Sequence, residues 1–182
     1  IDDGRSALLI DGFFSRPSWW RLLAQPIGPD DSRISEALSR GRISTVDAIF
    51  VAHSHHDHAL DSARVAGLTN AVLYGSESTL NIARGEGLPA AQMRRIQLGQ
   101  PIQMGEFTIS AIETLHSAGA VFPGTINEPL ALPARLAAFK EAQNYVFHVR
   151  HPRGNVLVIP SANFIPDALA GVRADVVFLG IG

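Results

Sequence analysis

The 182-residue chain contains no cysteine, which removes disulfides and thiolate metal sites together. Any metal it binds must be held by His, Asp, Glu or an amide oxygen. No apolar run approaches the ~20 residues that span a bilayer, and the N-terminus shows no basic segment followed by an apolar one, so no signal peptide is legible. A cytoplasmic location is expected, or a periplasmic one if a leader has been removed. Positive charge is scarce and scattered: 15 Lys and Arg stand against 17 Asp and Glu, for a formal net charge of -2. Nucleic acid is therefore not an expected partner, because its affinity comes largely from clustered cations facing phosphates. A membrane is not expected either, whereas a small anionic substrate remains compatible. Repeats, low-complexity tracts and blocks of like charge are also missing.

What is present is 46% apolar and 18% charged, enough for one domain with a real hydrophobic core. Ser6 to Asp11 reads as a strand after an Asp-Gly turn, followed by a loop, Phe13 to Pro17. Asp30-Asp31-Ser32 caps a helix that carries Ile34 and Leu38 inward and ends near Gly41. Val46 to Ala52 is a buried strand, Asp57 to Ala66 a helix and Ala71 to Tyr74 a strand. Ser76 to Gly85 is a third helix with Ser76 as cap and Gly85 as stop. Met93 to Leu98, Ile102 to Met104 and Phe107 to Leu115 follow as strands, and Ser117 to Pro133 is a long Gly- and Pro-rich loop. Arg135 to Ala142 is weakly helical, and Tyr145 to Arg150 and Val156 to Ile159 form a hairpin. Pro166 to Val172 is a short helix before a last apolar strand, 176–180, of the kind that is usually buried. Strands in meander order with helices interspersed suggest layered α/β packing in a single domain, 1–182. Both ends look cut, so the natural protein is expected to be longer.

Four of the seven histidines fall in the run His53-Ser54-His55-His56-Asp57-His58, where a strand gives way to a helix. His53 and His55, two apart, turn the same way toward one ion, and the first helical turn aims Asp57 and His58 at a neighbouring point. Imidazole nitrogen and carboxylate oxygen are zinc ligands at about 2.0–2.2 Å, and two ions ~3.5–4 Å apart clamp a substrate between them. A tag remnant or adventitious metal trap would be terminal and repetitive. This run is internal, follows a Val-, Ile- and Phe-rich strand and places an Asp among its histidines. Alternation turns His56 away, as a bystander.

His53-x-His55-x-Asp57-His58 resembles the signature of the metallo-β-lactamase superfamily. Leu8-Leu9-Ile10-Asp11-Gly12 looks like that family's early strand, and His116 falls where its next ligand is found. The resemblance implies a four-layer αββα sandwich, truncated here at both ends, and zinc-dependent hydrolysis. It implies that His53, His55 and His116 hold a first metal and that Asp57 and His58 hold a second. Asn163 stands where the family shows a bridging carboxylate. An amide oxygen can ligate but brings no charge to offset two divalent ions; the plainer role is a turn residue. The family's last histidine would lie beyond Gly182, and His148 and His151, on a hairpin strand and its turn, are poor substitutes.

The chemistry implied is hydrolysis of an ester, lactone or phosphodiester-type bond of a small molecule by metal-bound hydroxide, with one or two zinc ions, or manganese or iron in their place. Asp57 is the expected catalytic residue, orienting or deprotonating the nucleophile. Arg16 is a candidate to pair with a substrate carboxylate or phosphate. Phe122, in the segment from Ala118 to Pro133, belongs to a candidate lid or apolar substrate wall, or to a packed connector. A homo-oligomer is left open. The competing reading is a non-catalytic metal-binding or interaction module, with Asn163 as a mark of decay.

Overall fold

The computed structural model describes residues 1–119 and 121–180; Ala120 of the long loop, with Ile181 and Gly182, lies outside the described residues. These residues group into two compact units. One is Ile1–Arg95 with Phe122–Ala142, and the other is Ile96–Val121 with the stretch from Gln143 onward.

In the first unit β1 (Leu8–Ile10), β2 (Ala48–Phe50), β3 (Val72–Gly75) and β4 (Met93–Arg95) pair in that order. Every pairing is parallel, so this part of the chain is not the meander its sequence suggests. The reason lies in the connections: each carries a helix, which lets the next strand return in the same direction. Helices α1 (Trp19–Ala24) and α2 (Asp31–Arg40) link β1 to β2; α3 (His56–Ala59) and α4 (Ser62–Thr69) link β2 to β3; α5 (Glu77–Gly85) links β3 to β4. Ala48, Ile49 and Phe50 are all completely buried, as expected of a parallel strand covered on both faces. Asp30 caps α2 by accepting from the Ser32 and Arg33 amides, and Ser76 caps α5 by accepting from Thr79. The core gathers Ile34, Leu38, Ile49, Val51, Leu60, Val65, Leu73, Ile82 and Phe139.

Two local departures bear on the site. The helix expected over 57–66 is broken between α3 and α4. The Ser62 hydroxyl donates to the His58 carbonyl at 3.0 Å, competing with the backbone ladder. Beside it the buried Asp61 turns its carboxylate outward from the helix, accepting from the Phe14 amide (2.7 Å) and from the Ser15 amide and hydroxyl (both 2.6 Å). The second departure is α1, a helix outside the elements expected from the sequence.

The segment 122–142 is a packed connector over 126–130. The Asn81 side-chain amide donates to the Ile126 carbonyl (2.7 Å), the Ile126 amide to Ser78 Oγ (2.9 Å) and the Leu130 amide to the Asn81 carbonyl (3.0 Å). The helix expected over 135–142 shrinks to one tight turn, Leu136–Ala138.

In the second unit β5 (Ile102–Met104), β6 (Phe107–Thr114), β7 (Asn144–Arg150) and β8 (Val156–Ile159) form an antiparallel meander, and β9 (Val176–Leu179) joins β8 in parallel. The short turn Pro166–Leu169 lies in the crossover. Strand β9 was expected to be buried, yet its four side chains are 48–58% exposed. It is the outermost strand, and among the described residues no element is hydrogen-bonded to its far edge. No helix among the described residues is long and apolar enough to cross a membrane.

Gly85, read from sequence as a helix stop, has a further reason to be glycine. A Cβ there would meet the Leu130 carbonyl oxygen at 1.9 Å and its carbon at 2.2 Å, so any side chain pushes the connector off α5. Gly85→Ala is expected to lower stability by about 1–3 kcal/mol. Gly67→Ala, mid-helix with nothing within 4 Å, should raise it by about 0.5–1 kcal/mol. Urea unfolding midpoints of the two variants check the pair. Burial raises the Asp61 pKa, and its hydrogen bonds from Ser15 and Phe14 only partly offset this. A carboxyl with a raised folded pKa binds its proton more tightly in the folded state. Its contribution to stability is therefore lost as pH climbs from about 3.9 through the raised value. Asp61→Asn should flatten that slope in unfolding curves taken across the acid range.

Candidate metal centre

The His-rich run lies just past the C-terminal end of β2, where a parallel sheet opens toward solvent-facing loops. Its shape is set from behind. The Ser54 amide donates to the Glu141 carbonyl at 3.2 Å, and the Ser54 hydroxyl donates to the Lys140 carbonyl at 2.5 Å. With Ser54 turned into the connector, His53 and His55 project to the other side. Both are buried, at 1% and 6% exposure, and His53 Nε2 lies 3.1 Å from His55 Nδ1.

His58 is held differently. Its Nδ1 lies 2.7 Å from Asp11 Oδ2, while Asp11 Oδ1 accepts the Ala52 amide at 2.8 Å. Asp11 sits at the end of β1 with φ +63, a left-handed conformation that a short acidic side chain tolerates better than most. Burial pushes the His58 pKa down, but the charge and hydrogen bond of Asp11, with a contribution from Asp57, outweigh it, and the net shift is upward. With Nδ1 committed to Asp11, Nε2 is the nitrogen left to ligate, and it lies 3.5 Å from Asp57 Oδ2. The His53 and His58 rings approach to 4.0 Å between centroids. One ligand atom each from His53, Asp57 and His58 falls within 4.8 Å of the others.

His56 turns away, as its place in the run suggests. Its ring meets Phe13 at 5.8 Å and Phe139 at 6.3 Å, and burial lowers its pKa despite the opposing charge of Asp57. Asp57 is half exposed and so stands where a substrate can reach it.

His116 and Asn163 belong to the second unit. His116 follows β6, and its Nδ1 lies 3.0 Å from the Ser117 carbonyl oxygen. That contact is a hydrogen bond when Nδ1 carries the proton, which leaves Nε2 basic. Asn163 lies against the same residue: its side-chain amide donates to the His116 carbonyl at 2.8 Å, and its Oδ1 accepts the Phe164 amide at 2.8 Å. His148 Nε2 lies 3.0 Å from the Arg173 carbonyl oxygen, and His151 meets the Phe107 ring at a tilt of 40° and accepts the Arg153 amide. Arg16 is exposed, at φ +38, and lines a cavity with Arg21 and Arg33. Phe122, in the first unit, is half-buried at φ +58, with its carbonyl accepting the Glu141 amide.

Asp11 is the residue that reading the motif alone leaves out of the site. The cue was present in its position, an acidic residue directly after the apolar run Leu8-Leu9-Ile10. The donor set itself fits a divalent ion. Imidazole nitrogens converge at 3.1 Å in a buried pair, a third imidazole is fixed by a carboxylate behind it, and a further carboxylate lies alongside. A carboxylate behind a ligating histidine is the usual support of such a ligand.

The chain is similar to known proteins. A UPF0173 metal-dependent hydrolase of Myxococcus xanthus is 31% identical over 115 residues, covering 63% of this chain and 34% of that relative. Another, from Roseiflexus castenholzii, is 25% identical over 157 residues, covering 86% of this chain and 59% of the relative. The chain thus spans between a third and three fifths of the length of these curated relatives. Among solved structures, the subclass B3 metallo-β-lactamase MEM-A1 from a soil metagenome library superposes with a TM-score of 0.58. Its sequence identity is 14%, with 97% of this chain and 70% of that one covered. The metallo-β-lactamase fold protein YhfI of Bacillus subtilis gives a TM-score of 0.52 at 17% identity, covering 84% of this chain and 55% of that one. The fold is that of the metallo-β-lactamases. Residues 7–182 match the Beta-lactamase superfamily domain, and the chain belongs to that family.

Proposed function

We propose that the chain carries the metal-binding part of a metal-dependent hydrolase that cleaves an ester, lactone or phosphodiester-type bond of a small molecule. The observation that supports this best is the Asp11–His58–Asp57 arrangement. A carboxylate at 2.7 Å fixes which imidazole nitrogen faces the site, and a half-exposed second carboxylate lies 3.5 Å beyond that nitrogen. A purely structural ion is enclosed by its protein ligands, whereas a catalytic one keeps a position open. Asp57 is the group at the open side. The Myxococcus and Roseiflexus relatives, named as metal-dependent hydrolases, support the same class of activity.

His53, His55, Asp57 and His58 would hold the metal. Zinc suits imidazole and carboxylate donors, as do manganese and iron. When bound, the ion acidifies water and polarises the scissile carbonyl or phosphoryl group. The chain's own residues do the rest. Asp57 accepts a proton from the attacking water and orients it, while Asp11 keeps the His58 ring from rotating. Ser54 anchors the His53–His55 turn to the connector. The expectation for His116 rests on its place in the sequence. Asn163 is assigned to positioning the His116 backbone, to which its side-chain amide donates.

Asp57→Asn should lower turnover of a chromogenic ester or phosphodiester by about 10²–10⁴-fold, the worth of a general base, while plasma mass spectrometry still finds metal. Unchanged turnover would remove Asp57 from this role. Asp11→Asn leaves every ligand in place but weakens the hold on His58. It is expected to cost about 10–100-fold in metal affinity, read by competition with a chromophoric chelator. An unaltered affinity would show that Asp11 serves only to join β1 to β2.

A further inference from the structure

Both tryptophans of the chain lie side by side in α1, and both are exposed, Trp19 at 74% and Trp20 at 53%. Leu23, one turn from Trp19, is 71% exposed. Leu22 alone of the large apolar residues in α1 packs toward the core. Scattered exposed apolar residues need no explanation, but two indoles and a leucine on one outward face form a patch.

The charge beside this patch is mixed, with arginines outnumbering the acids. Arg16, Arg21 and Arg33 line an open cavity of about 510 Å³ that adjoins the start of α1. A fourth guanidinium, Arg135, donates to the Ala24 carbonyl at the end of the same helix. Two acids also line the cavity, and both are engaged. Arg64 takes Asp31 through two bonds of 2.6 Å, and Asp30 accepts the Ser32 and Arg33 amides at the start of α2 and pairs with Arg33 Nε at 3.7 Å. The Arg33 Nη1 group also donates to the Ser15 and Arg16 carbonyls, which holds the loop in place before any ligand arrives.

We propose that α1 and this cavity form a docking site for an anionic phospholipid surface. Trp19, Trp20 and Leu23 enter the headgroup–acyl boundary, and Arg16 and Arg21 meet the lipid phosphates, while Arg33 holds the loop between them. Indole rings favour that boundary because they are apolar in bulk and carry one N–H to leave in the wet layer. Arginine stems lie along the apolar surface while their heads stay with phosphate. A protein partner fits less well: the three apolar side chains offer on the order of 500 Å², short of the ~800 Å² per partner of an ordinary interface. A short apolar face alone binds membranes weakly, and a basic cluster supplies the second attraction that makes binding useful. No apolar run in the sequence is long enough to span a bilayer, and surface docking needs none. The anion expected to pair with Arg16 is, on this reading, a lipid phosphate. The proposal stands apart from the metal centre, and a failure of hydrolase activity leaves it untouched.

Because Trp19 and Trp20 are the only tryptophans, their emission reports on this helix alone. The chain is titrated with vesicles of phosphatidylcholine plus phosphatidylglycerol, with phosphatidylcholine vesicles, and with inorganic phosphate, and is sedimented with each vesicle. Mixed anionic vesicles should shift the emission to shorter wavelength and carry the chain into the pellet. Arg21→Gln should weaken that binding by about fivefold, the worth of one basic side chain at such a surface. The triple variant Trp19→Ala, Trp20→Ala, Leu23→Ala should stay in the supernatant with its circular dichroism unchanged. No shift and no sedimentation with anionic vesicles overturns the proposal. So does an equal response to inorganic phosphate, which would mark a small-anion site. A shift that grows with protein concentration in the absence of vesicles, marking self-association, overturns it as well.

Discussion

The Asp11 carboxylate divides its oxygens between the Ala52 amide at 2.8 Å and His58 Nδ1 at 2.7 Å, and the geometry of the His-rich turn follows from that division. One oxygen continues the β1–β2 pairing past the last ladder bond. The other reaches over the turn and fixes the imidazole that follows it. Neither bond is unusual alone. Together they make the spacing of two parallel strands determine where a ligand nitrogen points, so the sheet and the site cannot shift independently. A buried charged pair is a weak source of stability because desolvation offsets much of its attraction, and its value here lies in orientation.

The same economy runs through the polar residues of the first unit. Ser15 accepts the Asp30 amide and donates to Asp61, which also holds the Phe14 and Ser15 amides. Ser54, Ser62, Ser78 and Asn81 each engage backbone groups of another segment. Buried polar groups are costly unless paired. Once paired, they hold loops in one arrangement where apolar contacts would allow several. The loop carrying Phe13, whose ring meets His56, is held to the site through Asp61.

Much of this was legible in the sequence because it is local. The His53–His58 run, the caps Asp30 and Ser76, and the hairpin of β7 and β8 are set by residues a few positions apart, and the family resemblance follows from the run itself. What escaped the sequence is what depends on distant partners. The break between α3 and α4 needs Ser15 and Phe14 to draw Asp61 aside, some 46 positions away. The parallel order of β1 to β4 follows from helical crossovers, while single-strand patterns are the same for either direction. Helix α1 was missed because indole side chains on its outer face carry no amphipathic period. Asn163 resembles a ligand position in sequence, whereas its hydrogen bonds to His116 and Phe164 are visible only in three dimensions.

The connector from Phe122 to Ala142 has a bearing on synthesis. It supplies the carbonyls that receive Ser54, at sequence separations of 86 and 87 residues, and those that receive Asn81. As the chain leaves the ribosome, β1 to β4 and the whole His-rich run emerge well before the segment that supports them from behind. Contacts of such long separation are also the slow ones to form. The histidines therefore spend the middle of translation without the backing that fixes their turn, which comes from a later stretch of chain.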